Sequence, residues 1–454
     1  MDVPRMNWSF GRKGTNLLLK NWGLLAFQMA DPTPFRKHSY ARGKRLSPRD
    51  FARLREIIPG VEPRLGRCDS GPRRGKTYPV AETNLVGNER EYLKQCIDSN
   101  WISSKGPFVD KFERAFAREA GCKHAVACAN GTVALHLVLA ALGIGPGDEV
   151  ILPTFTMIAT ASAVHYTGAT VKLVDSESVS FNIDPALIEH AITKKTRAII
   201  VVHTYGHPAD MLRLLEIANA HGLYLIEDAA EAHGAEISGK RVGSFGVAGT
   251  FSFYANKIIT TGEGGMVTTN DAEFAQIVRR LRDHAFHPER HFWHEYVGFN
   301  YRMTNMQAAV GLAQTERIGE IIAARQRLRG WYDDRLGACS GLRLPHQSPG
   351  VQSVFWMYGV RVAPPFGCTS HVLREQLASC GIETRSFFVP MHIQPVHVDQ
   401  FRGQSFPVAE DLCRSGLYLP TSEALSEQDV EWICENVCNI QRINSRSHNV
   451  NSSS

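Results

Sequence analysis

No stretch of the 454 residues stays apolar long enough to cross a bilayer as a helix, which takes about 20 consecutive apolar residues. A helical membrane span is therefore excluded. The ten cysteines are scattered, form no CxxC pair and fall in no Cys/His group at zinc-ligand spacing. No metal site is expected, and the cysteines read as reduced thiols of a cytoplasmic protein. No internal repeat is visible. Acidic residues are scarce at one end only: residues 1–77 carry a net charge of +11 and the remainder −6, so the overall +5 belongs to the leader and says little about what the main body binds. That leader has one apolar patch, from Asn16 to Ala30, broken by Lys20 and Asn21, which is not the uninterrupted run of a signal peptide.

What remains is a chain with 43% apolar and 21% charged residues, too long for one ordinary domain. From Tyr78 onward, β-rich apolar runs alternate with helical patterns. AVACA (125–129), EVILP (149–153), VKLVD (171–175), RAIIVVH (197–203) and LYLIED (223–228) read as strands with helices near 132–142 and 157–166, at DPALIEHAI and at ADMLRLLEIANAHG between them. This alternation predicts an α/β domain with a mainly parallel sheet, whose ligands sit at the carboxyl ends of the strands. TFSFY (250–254) and GMVTT (265–269) flank a Gly-rich stretch. A single helical pattern runs from Met306 to Leu336, and a strand at 354–362 with helices near 371–380 and 426–440 reads as a smaller α+β domain. The expected organisation is a basic, poorly ordered extension (1–77), a large cofactor-binding domain (78–330), a small C-terminal domain (331–440) and a disordered tail (441–454).

Three features carry chemistry. Asn130-Gly131-Thr132 ends a strand and opens a helix, where unpartnered N–H groups make a seat for phosphate. Asp228 is an acid delivered by an apolar strand to the sheet edge, where it needs a positive or hydrogen-bonding partner. Glu231 and His233 follow it. Lys257 stands in TFSFYANKIITTGEGG, apolar surroundings that favour the neutral, nucleophilic amine. A phosphate seat, a carboxylate and then a lysine, in that order, match pyridoxal 5′-phosphate, whose phosphate, ring nitrogen and aldehyde need those three partners.

The segments NWISSKGPFVDKFE, ANGTVALHL, GDEVILPTFT, HTYGHPADM, IEDAAEAHGA, SFYANKIITTGEGGMV and VGFNYRMTNMQAAVGLAQ together resemble the DegT/StrS family of nucleotide-sugar aminotransferases over about four-fifths of the chain. The resemblance implies a fold type I aminotransferase, a homodimer with active sites shared between subunits, and a place in the synthesis of O-antigen sugars of lipopolysaccharide. It implies that Lys257 bonds the cofactor aldehyde, that Asp228 pairs with the pyridine nitrogen and that Glu231 lies near the ring hydroxyl. Gly131, Thr132 and Ser252 would hold the phosphate, with Asn300 reaching in from the other subunit. Trp101, Ser103, Ser104 and His392 would lie towards the sugar. Met157 departs from the family pattern, which has an aromatic residue stacked on the cofactor at that place; a thioether can cover a ring by dispersion, and Phe155 is the neighbouring aromatic.

Within the family, HTYGHPADM, NWISSKGPF and VGFNYRMTNMQAA are most similar to the branch that moves an amino group from L-glutamate to C4 of GDP-4-keto-6-deoxy-D-mannose, forming GDP-perosamine. A UDP- or dTDP-linked keto-sugar is the alternative substrate, and a non-enzymatic regulatory protein on the same scaffold is a third reading, disfavoured by the intact Lys257 and Asp228. Nucleic acid and membranes are not expected partners. Because residues 1–77 hold none of the cofactor motifs, a protein beginning near Arg74 is expected to be soluble, dimeric and at least roughly half as active as the full chain, as chain ends with few contacts tolerate removal. Paired rate and sizing measurements check this.

Overall fold

The computed structural model describes residues 56–58, 76–290 and 292–451. The leader expected at 1–77 lies outside the described residues except for 56–58, 76 and 77, and there Ile57 is buried against Ile393 and Cys413.

After helices α1 (Glu89–Asp98) and α2 (Pro107–Glu119), strands and helices alternate: β1 (His124–Cys128), α3 (Gly131–Ala141), β2 (Glu149–Pro153), α4 (Ala159–Tyr166), β3 (Thr170–Val174), α5 (Pro185–Ala191), β4 (Thr196–Val202), α6 (Met211–His221) and β5 (Tyr224–Asp228). Then come β6 (Ala248–Ser252), β7 (Gly265–Thr269) and α7 (Ala272–Arg282). The seven strands form one sheet in the order β1-β7-β6-β5-β4-β2-β3. The pairs β2/β3, β2/β4, β4/β5 and β5/β6 are parallel, and β7 alone runs antiparallel to both its neighbours. The strands are apolar on both faces because helices cover both, as the run-like sequence pattern implied.

This topology brings the ends of β1, β6, β5, β4 and β2 to one edge, where β7 begins. Gly265, its first residue, pairs with Cys128 and Ser252. A Cβ on Gly265 would stand 2.2 Å from the Asn130 carbonyl oxygen, so only glycine lets β7 start beside the first turn of α3.

The helical pattern expected from Met306 to Leu336 is two helices, α8 (Asn305–Glu316) and α9 (Ile318–Leu336), broken at Arg317, whose φ and ψ of −109° and 5° leave the helical range. Apolar periodicity cannot reveal a one-residue interruption that preserves phase. Ile318, Ile321 and Ile322 of α9 pack into the large core, whereas Leu328, Tyr332 and Leu336 pack into a second core with Tyr358, Leu417, Val430, Ile433 and Val437. The domain boundary expected at 330/331 thus falls inside one helix. Around the second core lies an antiparallel sheet of β8 (Leu342–Arg343), β9 (Tyr358–Val362), β10 (Arg385–Ser386) and β11 (Gly416–Leu419), ordered β8-β9-β11-β10. Helices α10 (Ser370–Ser379), α11 (Pro407–Ser415) and α12 (Glu427–Asn451) complete this part. The helix α12 continues beyond 440, where a disordered tail was expected, because no Gly or Pro interrupts 441–451.

Two further expectations change. Only 358–362 of the run 354–362 is strand; Val354 donates instead to the Gly206 carbonyl, and the Trp356 carbonyl accepts from Arg325 and Thr421, so burial of an apolar run does not by itself make a ladder. Eight cysteines are free among the described residues, but Cys380 is disulfide-bonded, against the reading of reduced thiols throughout.

Glu227, the penultimate residue of β5, is fully buried. Its carboxylate accepts from the N–H groups of Gly243 (2.7 Å), Phe245 (2.7 Å) and Gly246 (2.8 Å) and bonds His203 Nε2 at 3.2 Å. Because His203 Nδ1 accepts from the Ala209 N–H, Nε2 carries the proton and donates to Glu227. Glu227→Ala would strand four donors, three backbone N–H groups and the His203 Nε2–H, and is expected to cost at least about 3 kcal/mol, seen as a lowered urea midpoint; an unchanged midpoint would contradict this role.

Candidate active site

Strand alternation sends the two acids that end β5 to opposite sides, so Asp228 faces away from the Glu227 turn. Asp228 is buried, with Thr160 Oγ1 donating to Oδ2 at 2.9 Å and the Ala230 N–H to Oδ1 at 3.3 Å. Burial raises its pKa, against the pull of those bonds and of Lys257.

Glu231 follows one turn later and is 4% exposed. Its Oε2 accepts the Tyr205 N–H at 2.8 Å. Tyr205 delivers that N–H from a left-handed conformation (φ 54°, ψ 20°), a strained state for a tyrosine worth about 1–3 kcal/mol, and Gly206 continues the turn at φ 91°. The other oxygen, Oε1, lies 3.9 Å from Lys257 Nζ. Burial pushes the Glu231 carboxyl up to about 7, with Lys257 pulling it down.

Lys257 follows the aromatic run 251–254; its side chain is only 12% exposed. Burial lowers its pKa, and Glu231 and then Asp228 oppose that shift. The Nζ also lies 3.8 Å from the centroid of the Trp356 ring. Beside this cluster, His233 is buried among Phe116, Phe251 and Phe253, and burial drives its pKa down to about 3, so it stays neutral.

At the head of α3, Asn130 Oδ1 accepts from the Val133 N–H at 3.0 Å and caps the helix. Gly131 packs so closely on Ser252 that a Cβ would stand 2.8 Å from its Cβ. This glycine-lined seat, a helix N-terminus beside a serine hydroxyl, suits a phosphate. The seat, the buried carboxylate Asp228 and a lysine of lowered pKa fit the three ends of pyridoxal 5′-phosphate, with Gly131, Thr132 and Ser252 for the phosphate, Asp228 for the ring nitrogen and Lys257 for the aldehyde.

The remaining residues expected at the site divide. Trp101 is 52% exposed on a loop with Ser103 and Ser104. This loop is pinned by buried Asn305, which bonds the Trp101 carbonyl, the Ser103 carbonyl and the Phe108 N–H. Met157 is 50% exposed, so its thioether is accessible. Phe155 does not take its place: it is fully buried, its ring 5.9–6.1 Å from those of Tyr205, Phe387 and Phe388. Asn300 is exposed. His392 is buried, with Nδ1 at 2.8 Å from Thr154 Oγ1 and Nε2 at 3.1 Å from Glu410, so it braces the end of β2 and offers no exposed edge to a sugar.

Sequence reasoning missed Thr160, Tyr205, Trp356 and Asn305. Thr160 and Asn305 left a trace, as polar residues at the starts of helices that also bury apolar ones. The left-handed Tyr205 and the indole beside Lys257 had none, since their partners lie 26 and about 100 residues away along the chain.

The sequence profile of the DegT/DnrJ/EryC1/StrS aminotransferase family matches residues 84–438. The chain is 50% identical over 355 residues to the GDP-perosamine synthase of Caulobacter vibrioides, covering 78% of this chain and 95% of that protein. It is 43% identical over 362 residues to the GDP-perosamine synthase of Escherichia coli O157:H7, covering 80% and 98%. The crystal structure of DesV from S. venezuelae, 36% identical, superposes with a TM-score of 0.74 over 78% of this chain and 94% of that one.

The electrostatics give a signed test. A carboxyl with a folded pKa of about 7 and an ordinary value of 4.5 binds its proton more tightly when folded. Its contribution to stability therefore falls as pH rises through that window, and the cost is fully present above 7. Glu231→Gln should stabilise the cofactor-free protein at pH 8 by on the order of 2 kcal/mol and leave it unchanged near pH 4. Thermal unfolding at the two pH values checks this; equal effects at both would sink it.

Proposed function

This chain belongs to the DegT/DnrJ/EryC1/StrS family of pyridoxal-phosphate-dependent aminotransferases, and on that premise we propose that it transfers the amino group of L-glutamate to C4 of GDP-4-keto-6-deoxy-D-mannose, forming GDP-perosamine in the cytoplasm. The observation that carries the choice of sugar is the 50% identity to a GDP-perosamine synthase over nearly the whole length of that relative. The enzyme is a sugar aminotransferase, and among the described residues no helix is long and apolar enough to cross a membrane.

Pyridoxal phosphate supplies an aldehyde that takes up and returns an amino group and a ring that withdraws electrons from the adjoining carbon. The protein does the rest. Gly131, Thr132 and Ser252 bind the phosphate with backbone and hydroxyl donors. Asp228, aimed by Thr160, keeps a proton on the ring nitrogen; a cation there restores the ionised carboxylate that burial alone disfavours. Burial shifts the Lys257 amine towards its neutral form, against the pull of Glu231 and Asp228. In that form its Nζ would hold the cofactor aldehyde, and when free it would serve to move a proton between neighbouring carbons. Glu231 stands beside it for the ring hydroxyl, and Met157 offers a thioether where the ring lies. Trp101, Ser103 and Ser104, on the loop held by Asn305, face the sugar.

The active enzyme on this reading is a homodimer. Asn300 lies exposed, three to eight residues along the chain from Val297, Trp293 and Phe292, whose side chains are also exposed, a surface that a second copy would cover while carrying Asn300 into its neighbour's site.

The deciding assay supplies L-glutamate with GDP-, UDP- and dTDP-linked 4-keto sugars in turn and weighs the product. Amination of the GDP sugar at a rate at least about tenfold above the others is expected, a modest specificity difference of about 1.4 kcal/mol. Borohydride should fix the cofactor to Lys257, located by peptide mass. Asp228→Asn should lose more than about a hundredfold in turnover, since roughly 3 kcal/mol or more rides on a buried charge pair; a loss below about tenfold would remove Asp228 from its role.

A further inference from the structure

The Lys257 ammonium has two neighbours, the Glu231 carboxylate at 3.9 Å and the face of Trp356, with the Nζ 3.8 Å from the ring centroid. The indole is fixed. Its Nε1–H donates to the Asn256 carbonyl at 2.7 Å, and its own carbonyl accepts from Arg325 Nη1 at 3.0 Å and Thr421 Oγ1 at 3.2 Å. Asn256 immediately precedes Lys257, so the ring is tied to the backbone of the very loop that carries the lysine. Val354, two residues before Trp356, donates to the Gly206 carbonyl, and Tyr205 in the same turn donates to Glu231. Both walls around the amine are thus set by the Tyr205-Gly206 turn.

We propose that Trp356 is a positioning residue that steadies the Lys257 ammonium once the released lysine has taken up a proton, its ring face on one side of Nζ and Glu231 on the other. The proposal rests on the reading of Lys257 as the cofactor-bonding lysine. During half of each turnover the transferred amino group resides on the cofactor, and Lys257 is released at the end of a four-carbon stem. An ammonium that roamed would leave the reacting carbon, and an ammonium with only buried carboxylates for company would be locked in a tight ion pair. An aromatic face attracts the cation through its quadrupole without taking the proton.

The charged and titratable groups acting on this amine are Glu231 and Asp228, which favour its proton, and His233; Arg325 bonds the Trp356 carbonyl. Burial works against the proton. Removing the ring face removes one of the forces that favour it, so the amine should lose its proton at lower pH.

The test uses the full-length protein loaded with pyridoxamine 5′-phosphate, in which Lys257 is free. Trace acetylation by acetic anhydride, which reacts only with the neutral amine, is followed at Lys257 by peptide mass across pH for wild type, Trp356→Phe and Trp356→Leu. Trp356→Leu should label about three- to tenfold faster than wild type at neutral pH, the size of a desolvated cation–π contact. Trp356→Phe, which loses the Nε1–H bond yet keeps an aromatic face, should stay within about twofold. Trp356→Met serves in place of the Leu variant if that one does not fold. Unchanged labelling in the Leu or Met variant overturns the proposal, and so does an equal rise in the Phe and Leu variants, which would assign the effect to the lost bond with Asn256. Borohydride fixation on a different lysine would instead overturn the underlying assignment of Lys257, a result separable from the labelling profile.

Discussion

Burying ionisable groups at the end of a central strand is the constraint around which this protein is organised. Strand β5 ends in two consecutive acids, and a pleated strand must send them to opposite sides. Glu227 is compensated by three backbone N–H groups and a histidine. Asp228 receives less, one hydroxyl at 2.9 Å and one long N–H bond. That inequality separates the two: the saturated carboxylate fastens the 243–246 turn to the sheet, and the under-compensated one is left with capacity for a further cationic partner.

The same economy shapes the lysine. Lys257, Glu231 and Asp228 share a pocket in which none of the three holds its ordinary proton affinity: burial raises both acids and lowers the amine. Each shift disfavours charge, and each is partly offset by the neighbours. The site is therefore poised to move protons at little cost, at the expense of stability in the cofactor-free state, where repulsive burial is not answered by a ligand.

Much of the large domain was legible from sequence because local and global signals agree there. Strands β2 and β7 coincide with the runs EVILP and GMVTT, and Asn130, Asp228 and Lys257 announce themselves as polar residues at the ends of apolar stretches. Legibility failed where the deciding contact comes from far along the chain. Trp356 looked like part of a strand, and only the positions of Gly206, Arg325 and Thr421 show why the backbone there leaves the ladder. His392 looked available because sequence cannot show that Thr154 and Glu410 occupy both its nitrogens. The break at Arg317 was invisible because the apolar stripe continues in phase across it.

Helix α9 has a mechanical consequence. Its first turns are packed into the large core and its last turns into the second one. At about 1.5 Å per residue, the fourteen-residue step from Ile322 to Leu336 spans about 20 Å of unbroken rod. A rod embedded at both ends behaves as an axle without a bearing: it transmits torque, and neither part can rotate against the other without twisting or unpacking it. Loosening either core must propagate to the other, making the two parts one cooperative unit.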